Sequence, residues 1–92
     1  MTSMKSFSWD ENKNEELQAE RNVSFEEVRS EIEAGRFRIE ENTSGNHPGQ
    51  RVYLVVLNGY VHVVPFRGTE SAILLITIFP SRFWQGKTGG VL

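Results

Sequence analysis

Arg51-Val52-Tyr53-Leu54-Val55-Val56-Leu57-Asn58-Gly59-Tyr60-Val61-His62-Val63-Val64-Pro65-Phe66 is the stretch that decides the fold of this 92-residue chain. Two runs rich in β-branched and aromatic residues flank Asn58-Gly59, the pair best suited to a two-residue type I′ turn, because both central positions of that turn require φ > 0. The turn also sets the register. Pairing Leu57 with Tyr60 puts Val52, Leu54, Val56, Val61 and Val63 on one wholly aliphatic face. Arg51, Tyr53, Val55, Leu57, Tyr60, His62, Val64 and Phe66 then share the other. The aliphatic face is expected to lie under helices, and the mixed polar and aromatic face to be the one that binds.

Working outward, Arg36 to Glu40 alternates strictly and predicts a strand with Phe37 and Ile39 inward and arginines marking a sheet edge. The segment from Asn42 to Gln50, dense in Gly, Asn, Ser and Pro, reads as a surface loop. Upstream, Phe7-Ser8-Trp9 makes one short strand, and Asp10 is placed to cap a helix over Glu11 to Arg21 that Asn22 ends in a left-handed conformation. Ser24-Phe25-Glu26-Glu27 forms a capping box, with Val23 and Val28 spaced as its hydrophobic staple. Phe25, Val28 and Ile32 form the buried stripe of that second helix, and Gly35 stops it. Downstream, Ser71 to Phe79 reads as one apolar central strand ending at Pro80-Ser81-Arg82. Residues 83 to 92, with Gly86, Gly89 and Gly90, make a poor helix and are expected to fray. The expected fold is α+β: a short N-terminal strand, two helices on one face of an antiparallel sheet, and meander order, in one domain over residues 4 to 82.

Composition narrows the chemistry. With 38% apolar and 24% charged residues, the chain is that of a single small globular domain, and with no cysteine it has neither disulfides nor thiolate chemistry. The apolar stretch Ala72 to Phe79 is far short of the ~20 residues a spanning helix needs, and Met1 to Phe7 has no signal-peptide core, so a cytoplasmic protein with no membrane partner is expected. Residues 1 to 50 carry six basic and eleven acidic side chains, and residues 51 to 92 four and one. The net charge of −2 therefore hides an acidic half and a basic half, which disfavours non-specific nucleic-acid binding but leaves room for a local basic patch. No metal or other cofactor is expected. The two histidines have no ligand spacing. Gly86-Lys87-Thr88 lacks the upstream glycine of a phosphate-binding loop, and Glu26, Glu27, Glu31 and Glu33 fit a solvated helical face. The sequons at Asn22 and Asn42 read as turn and capping residues, and Trp9 and Trp84 as packing residues.

Ser6-Phe7-Ser8-Trp9-Asp10-Glu11-Asn12-Lys13-Asn14, followed by Leu17, Arg21 and Val23-Ser24-Phe25-Glu26-Glu27-Val28, resembles the opening of the BrnT family of bacterial toxins. His47-Pro48-Gly49-Gln50-Arg51-Val52-Tyr53, Asn58-Gly59-Tyr60-Val61, Val64-Pro65-Phe66 and Ile78-Phe79-Pro80-Ser81-Arg82 look like a related branch, so the likeness covers about residues 4 to 82. The resemblance implies a RelE-like fold with helices on one sheet face and RNA on the other. It also implies an endoribonuclease that arrests translation and is neutralised, in a hetero-oligomer, by a BrnA-like antitoxin.

Arg82 matches the position where such proteins carry a Ser-x-Arg or Ser-Arg basic residue and is the leading candidate. A guanidinium there clamps a phosphate bidentately and stabilises developing charge; its structural alternative is to cap carbonyls at a sheet end. Arg51 is a second candidate phosphate ligand or else an edge arginine paired to a glutamate. His62 is either a general base for a 2′-hydroxyl or a packed strand histidine. Tyr53 and Tyr60 either stack bases or pack across the strands. His47 either swings over the face or stays a turn residue, and Arg67 and Lys87 complete the candidate RNA contacts. Two departures stand out against the family pattern. BrnT-like toxins end in a Lys- and Arg-rich helix where this chain keeps only Lys87, and Ile76 stands where relatives show a basic residue. The alternative function is a non-catalytic toxin-fold module that docks a protein through an apolar strand edge or the Phe83-Trp84 segment.

Overall fold

The computed structural model describes residues 5–41, 50–69 and 71–92. His47 lies outside the described residues. The element order is β1 (Ser6–Ser8), α1 (Glu11–Arg21), α2 (Phe25–Glu33), β2 (Arg38–Glu41), β3 (Arg51–Leu57), β4 (Tyr60–Gly68), β5 (Ala72–Leu75), β6 (Phe79–Pro80) and α3 (Arg82–Thr88). The domain is α+β, with a mixed sheet ordered β1-β5-β4-β3-β2 and β6 also paired to β4. All pairs are antiparallel except β1 with β5.

Local chemistry explains most element ends. The Asp10 carboxylate accepts the Asn12 and Lys13 N–H groups at the start of α1, and Asn22 closes it at φ 56°. The Ser24 hydroxyl oxygen accepts the Glu27 N–H and its hydrogen is donated to the Glu27 carboxylate, so the carboxylate meets the hydroxyl rather than the Ser24 backbone N–H of a full capping box. At the hairpin, Asn58 and Gly59 both take positive φ, 55° and 74°, and Leu57 faces Tyr60 as the turn demands.

The sheet's two faces are covered the opposite way from expectation. Tyr53, Val55, Leu57, Val64 and Phe66 form the main core with Leu17 of α1, Val23, and Phe25, Val28 and Ile32 of α2. Aromatic bulk explains this choice: the Tyr53 ring sits 4.2 Å from Phe66 and meets Phe37 edge-on at 5.5 Å, filling the gap beneath two helices. The aliphatic face of Val52, Leu54, Val56, Val61 and Val63 packs instead with Trp84 and Leu92. Residues expected to fray thus contain α3, capped by the Ser81 hydroxyl on the Trp84 N–H and closed by Gly89 at φ 70°. Gly86 costs a helix about 1 kcal/mol. Partial burial of Trp84 and the bond from the Val61 N–H to the Gln85 side-chain oxygen, at 2.9 Å, offset it. Among the described residues, both faces of the β3–β4 pair are thus covered, one by α1 and α2 and the other by Trp84 and Leu92.

Two further expectations change. Ile39 is 41% exposed because β2 lies at the end of the sheet, with β3 its one strand neighbour among the described residues. The strand expected over Ser71 to Phe79 is interrupted. Phe66 pairs with Leu75 and Val63 with Phe79, so Val64 and Pro65 face three residues, Ile76, Thr77 and Ile78. This is a one-residue bulge opposite Pro65, which has no N–H to give the ladder and accepts only the Ile76 N–H at 2.9 Å. The extra residue flips the face, so Ile78 rather than Thr77 joins Ile73 and Leu75 in the core.

Candidate functional site

An open cleft of about 460 Å³ lies where the end of α1, the β3–β4 turn, β6 and the start of α3 meet. His62 and Tyr60 come to it from β4, Leu57 and Asn58 from the turn, Pro80 and Arg82 from the other side, and Arg21 from α1. Strand pairing sets much of this: His62 faces Pro80, and the Ser81 N–H donates to the Val61 carbonyl at 3.0 Å, which starts α3 with Arg82 at the cleft.

His62 is only 6% exposed, and its Nδ1 lies 2.8 Å from the Tyr60 carbonyl oxygen. A carbonyl can only accept, so Nδ1 carries a hydrogen, and in the neutral ring Nε2 is the acceptor. Tyr60 stands edge-on to the imidazole at 6.3 Å and is half-buried. Arg82 is exposed, and among the described residues its guanidinium meets no carboxylate. The cleft therefore combines one fixed imidazole acceptor, an aromatic wall and positive charge, a set suited to an anionic ligand carrying a planar ring.

His62, Arg82 and Tyr60 are thus brought together, but the other described candidates are not. Arg51 begins β3, four residues from Val55, the partner of His62, or roughly 13 Å along the strand. Its guanidinium lies over the Phe66 ring at 5.5 Å. Tyr53 is 1% exposed inside the main core, so it has no ring face to offer a base, and burial pushes its phenol above its ordinary value against a smaller opposing effect of the Arg51 charge. Alternation puts Arg67 beside Leu74 on the face away from α1 and α2. Lys87 belongs to α3 and lies over the Phe83 and Trp84 rings.

Sequence reasoning missed Arg21 as a site residue, placing it only as the last residue of the first helix and among the residues that carry the family resemblance. Its Nη1 donates to the Ile78 carbonyl at 2.6 Å, a contact 57 residues away in sequence. Arg21 precedes the left-handed Asn22, whose carbonyl accepts from the Asn58 side chain at 3.0 Å. Among the described residues no cluster of three or more His, Asp or Glu is arranged to hold a metal ion. None of their helices is long and apolar enough to cross a membrane. No protein-family model matches the chain, and no curated protein matches it.

Proposed function

We propose that the cleft binds a phosphodiester of single-stranded RNA, and that the protein is an endoribonuclease of the toxin–antitoxin kind, arresting translation until a BrnA-like antitoxin covers the site. The observation that carries this reading is the meeting of His62, Arg82 and Tyr60 in one open cleft. His62 Nε2 takes the proton of the ribose 2′-hydroxyl, whose oxygen bonds to phosphorus as the 5′ oxygen leaves. Solvent in the open cleft returns a proton to that leaving oxygen. Arg82 neutralises charge as it grows on the phosphoryl oxygens, a contribution that needs only a fixed cation. Tyr60 offers its ring to the neighbouring base. The likeness to a RelE-like fold belongs to the same proposal.

The test is growth and protein synthesis in bacterial cells after induction of the chain alone, beside Arg82→Ala and His62→Gln at matched soluble expression. Rapid arrest by the parent is expected, with cleavage lowered roughly 10²-fold in Arg82→Ala. A parent that leaves synthesis unchanged sinks the nuclease reading. A non-catalytic docking module is the second reading, supported by the 65% exposure of Phe83 next to Arg82; it predicts an inert parent that still captures a protein partner through that residue.

A further inference from the structure

We infer that Arg21 is a second phosphate ligand of the cleft, held ready by the bulge between β5 and β6. This rests on the proposed RNA site and adds to it a residue from a helix that otherwise only covers the sheet. The bulge takes Ile78 out of the β4 ladder, which resumes at Phe79. Its carbonyl then accepts from Arg21 Nη1. Among the described residues, one of the five guanidinium N–H groups is used, at that carbonyl, and four remain for an oxyanion.

The backbone beneath Arg21 is held on both sides. Leu17, one turn earlier, is buried in the main core, and the Asn58 amide ties the Asn22 carbonyl to the hairpin turn. A long side chain normally loses rotamer freedom when it grips a ligand; here the Ile78 bond has already restricted it. Arg21 is exposed, lines the same cleft as Arg82 and His62, and among the described residues meets no carboxylate. Two forked cations on one phosphate bind in two planes, which orients the group as well as neutralising it.

The experiment uses the purified full chain and a labelled single-stranded oligoribonucleotide whose 2′-hydroxyls are methylated so that it cannot be cut. Affinity is measured across a salt series for the parent, Arg21→Met, Arg21→Lys and Arg82→Ala, with thermal unfolding of each. Arg21→Met is expected to weaken binding roughly tenfold and to flatten the log Kd against log salt slope by about 0.7, the share of one phosphate contact on a single strand. Arg21→Lys restores the slope and part of the affinity, since it keeps the charge and loses the fork. A purely structural arginine would change the unfolding midpoint and leave the slope alone. Should Arg21→Met not fold, arginine modification by phenylglyoxal, mapped by mass spectrometry on the parent, decides the matter. The oligonucleotide is expected to protect Arg21 and Arg82 and leave Arg67 reactive. Protection of Arg82 without Arg21 overturns this inference and keeps the RNA site. A parent that does not bind the oligonucleotide overturns both.

Discussion

Asn14 shows how much one polar residue settles. It is fully buried in a helix whose sequence promises only a thin apolar contact, and every polar atom of its amide is used. Its carbonyl oxygen accepts the Phe25 N–H at 2.8 Å, and its nitrogen donates to Glu11 and Glu26 at 3.1 and 2.7 Å. The first turn of α2 is thereby fastened to α1, and a free N–H at a helix start is satisfied inside the core. Tyr53 couples burial to pH. Its folded phenol titrates above the ordinary value of 10.0 because ionising it inside the core strips the charge of water. Below that ordinary value both states are protonated and the contribution to stability is intact. As pH rises toward the raised folded value the unfolded chain ionises first, and stability drains away. Tyr53→Phe is therefore expected to lose less of its unfolding midpoint than the parent between about pH 9 and pH 11, measured by thermal melts. Equal losses would mean that the buried phenol has no part in alkaline unfolding.

Elements are set by their ends and interruptions as much as by their propensities. The turn from β4 to β5 depends on Gly68, at φ 115°, where an added Cβ would run into the Ala72 carbonyl oxygen. That oxygen already accepts the Thr69 N–H at 2.9 Å, so moving it away from a Cβ would break this bond. Gly68→Ala is expected to cost about 2–4 kcal/mol, read as a fall in the urea midpoint with the slope preserved. A variant as stable as the parent would show that the turn relaxes to another shape. The helix caps, the Asn58-Gly59 hairpin and the β2 edge were all legible because each depends on residues within a few positions of one another. The bulge was not, since it arises from Pro65 meeting a strand ten residues further on. Nor was α3, whose glycines argue against a helix that Trp84 and Gln85 hold in place through contacts to β4 and the aliphatic face.

At the scale of the whole molecule, the sheet is a partition between two cores of unequal depth. α1 and α2 seal the deep one, and a single short helix with the last residue covers the shallow one. Trp84 is the main cover of the second face, flanked by Arg38 and Lys87 at 5.9 and 5.6 Å from its ring. Removing it in Trp84→Ala exposes a continuous strip of Val52, Leu54, Val61 and Val63. A loss of about 2 kcal/mol, or roughly 10 °C in a domain of this size, is expected, together with increased binding of an apolar dye. No change in dye binding would mean that the strip is covered by something other than α3. The distribution of charge follows the same partition: the acidic half of the chain supplies α1 and α2, yet the cleft takes its cations from both halves, Arg21 from one and Arg82 from the other.

Sequence alone determined the hairpin and its register, the helix starts at Asp10 and Ser24, the left-handed stops and the division of β3 and β4 residues into two faces. Each of these follows from φ preferences, hydrogen bonding over a few residues or the two-residue period of a strand. Tertiary structure decided which face the helices took, because alternation assigns side chains to faces without ranking two apolar ones, and aromatic volume chose between them. It also decided the cleft. His62 and Arg82 were legible as candidates on the hairpin and at the end of the last strand, whereas Arg51 and Tyr53 share a face with His62 but lie too far along β3 or too deep beneath α2 to join it. Arg21 reached the cleft only through the Ile78 carbonyl, an acceptor that the bulge had released from the ladder and that no local pattern in α1 announces.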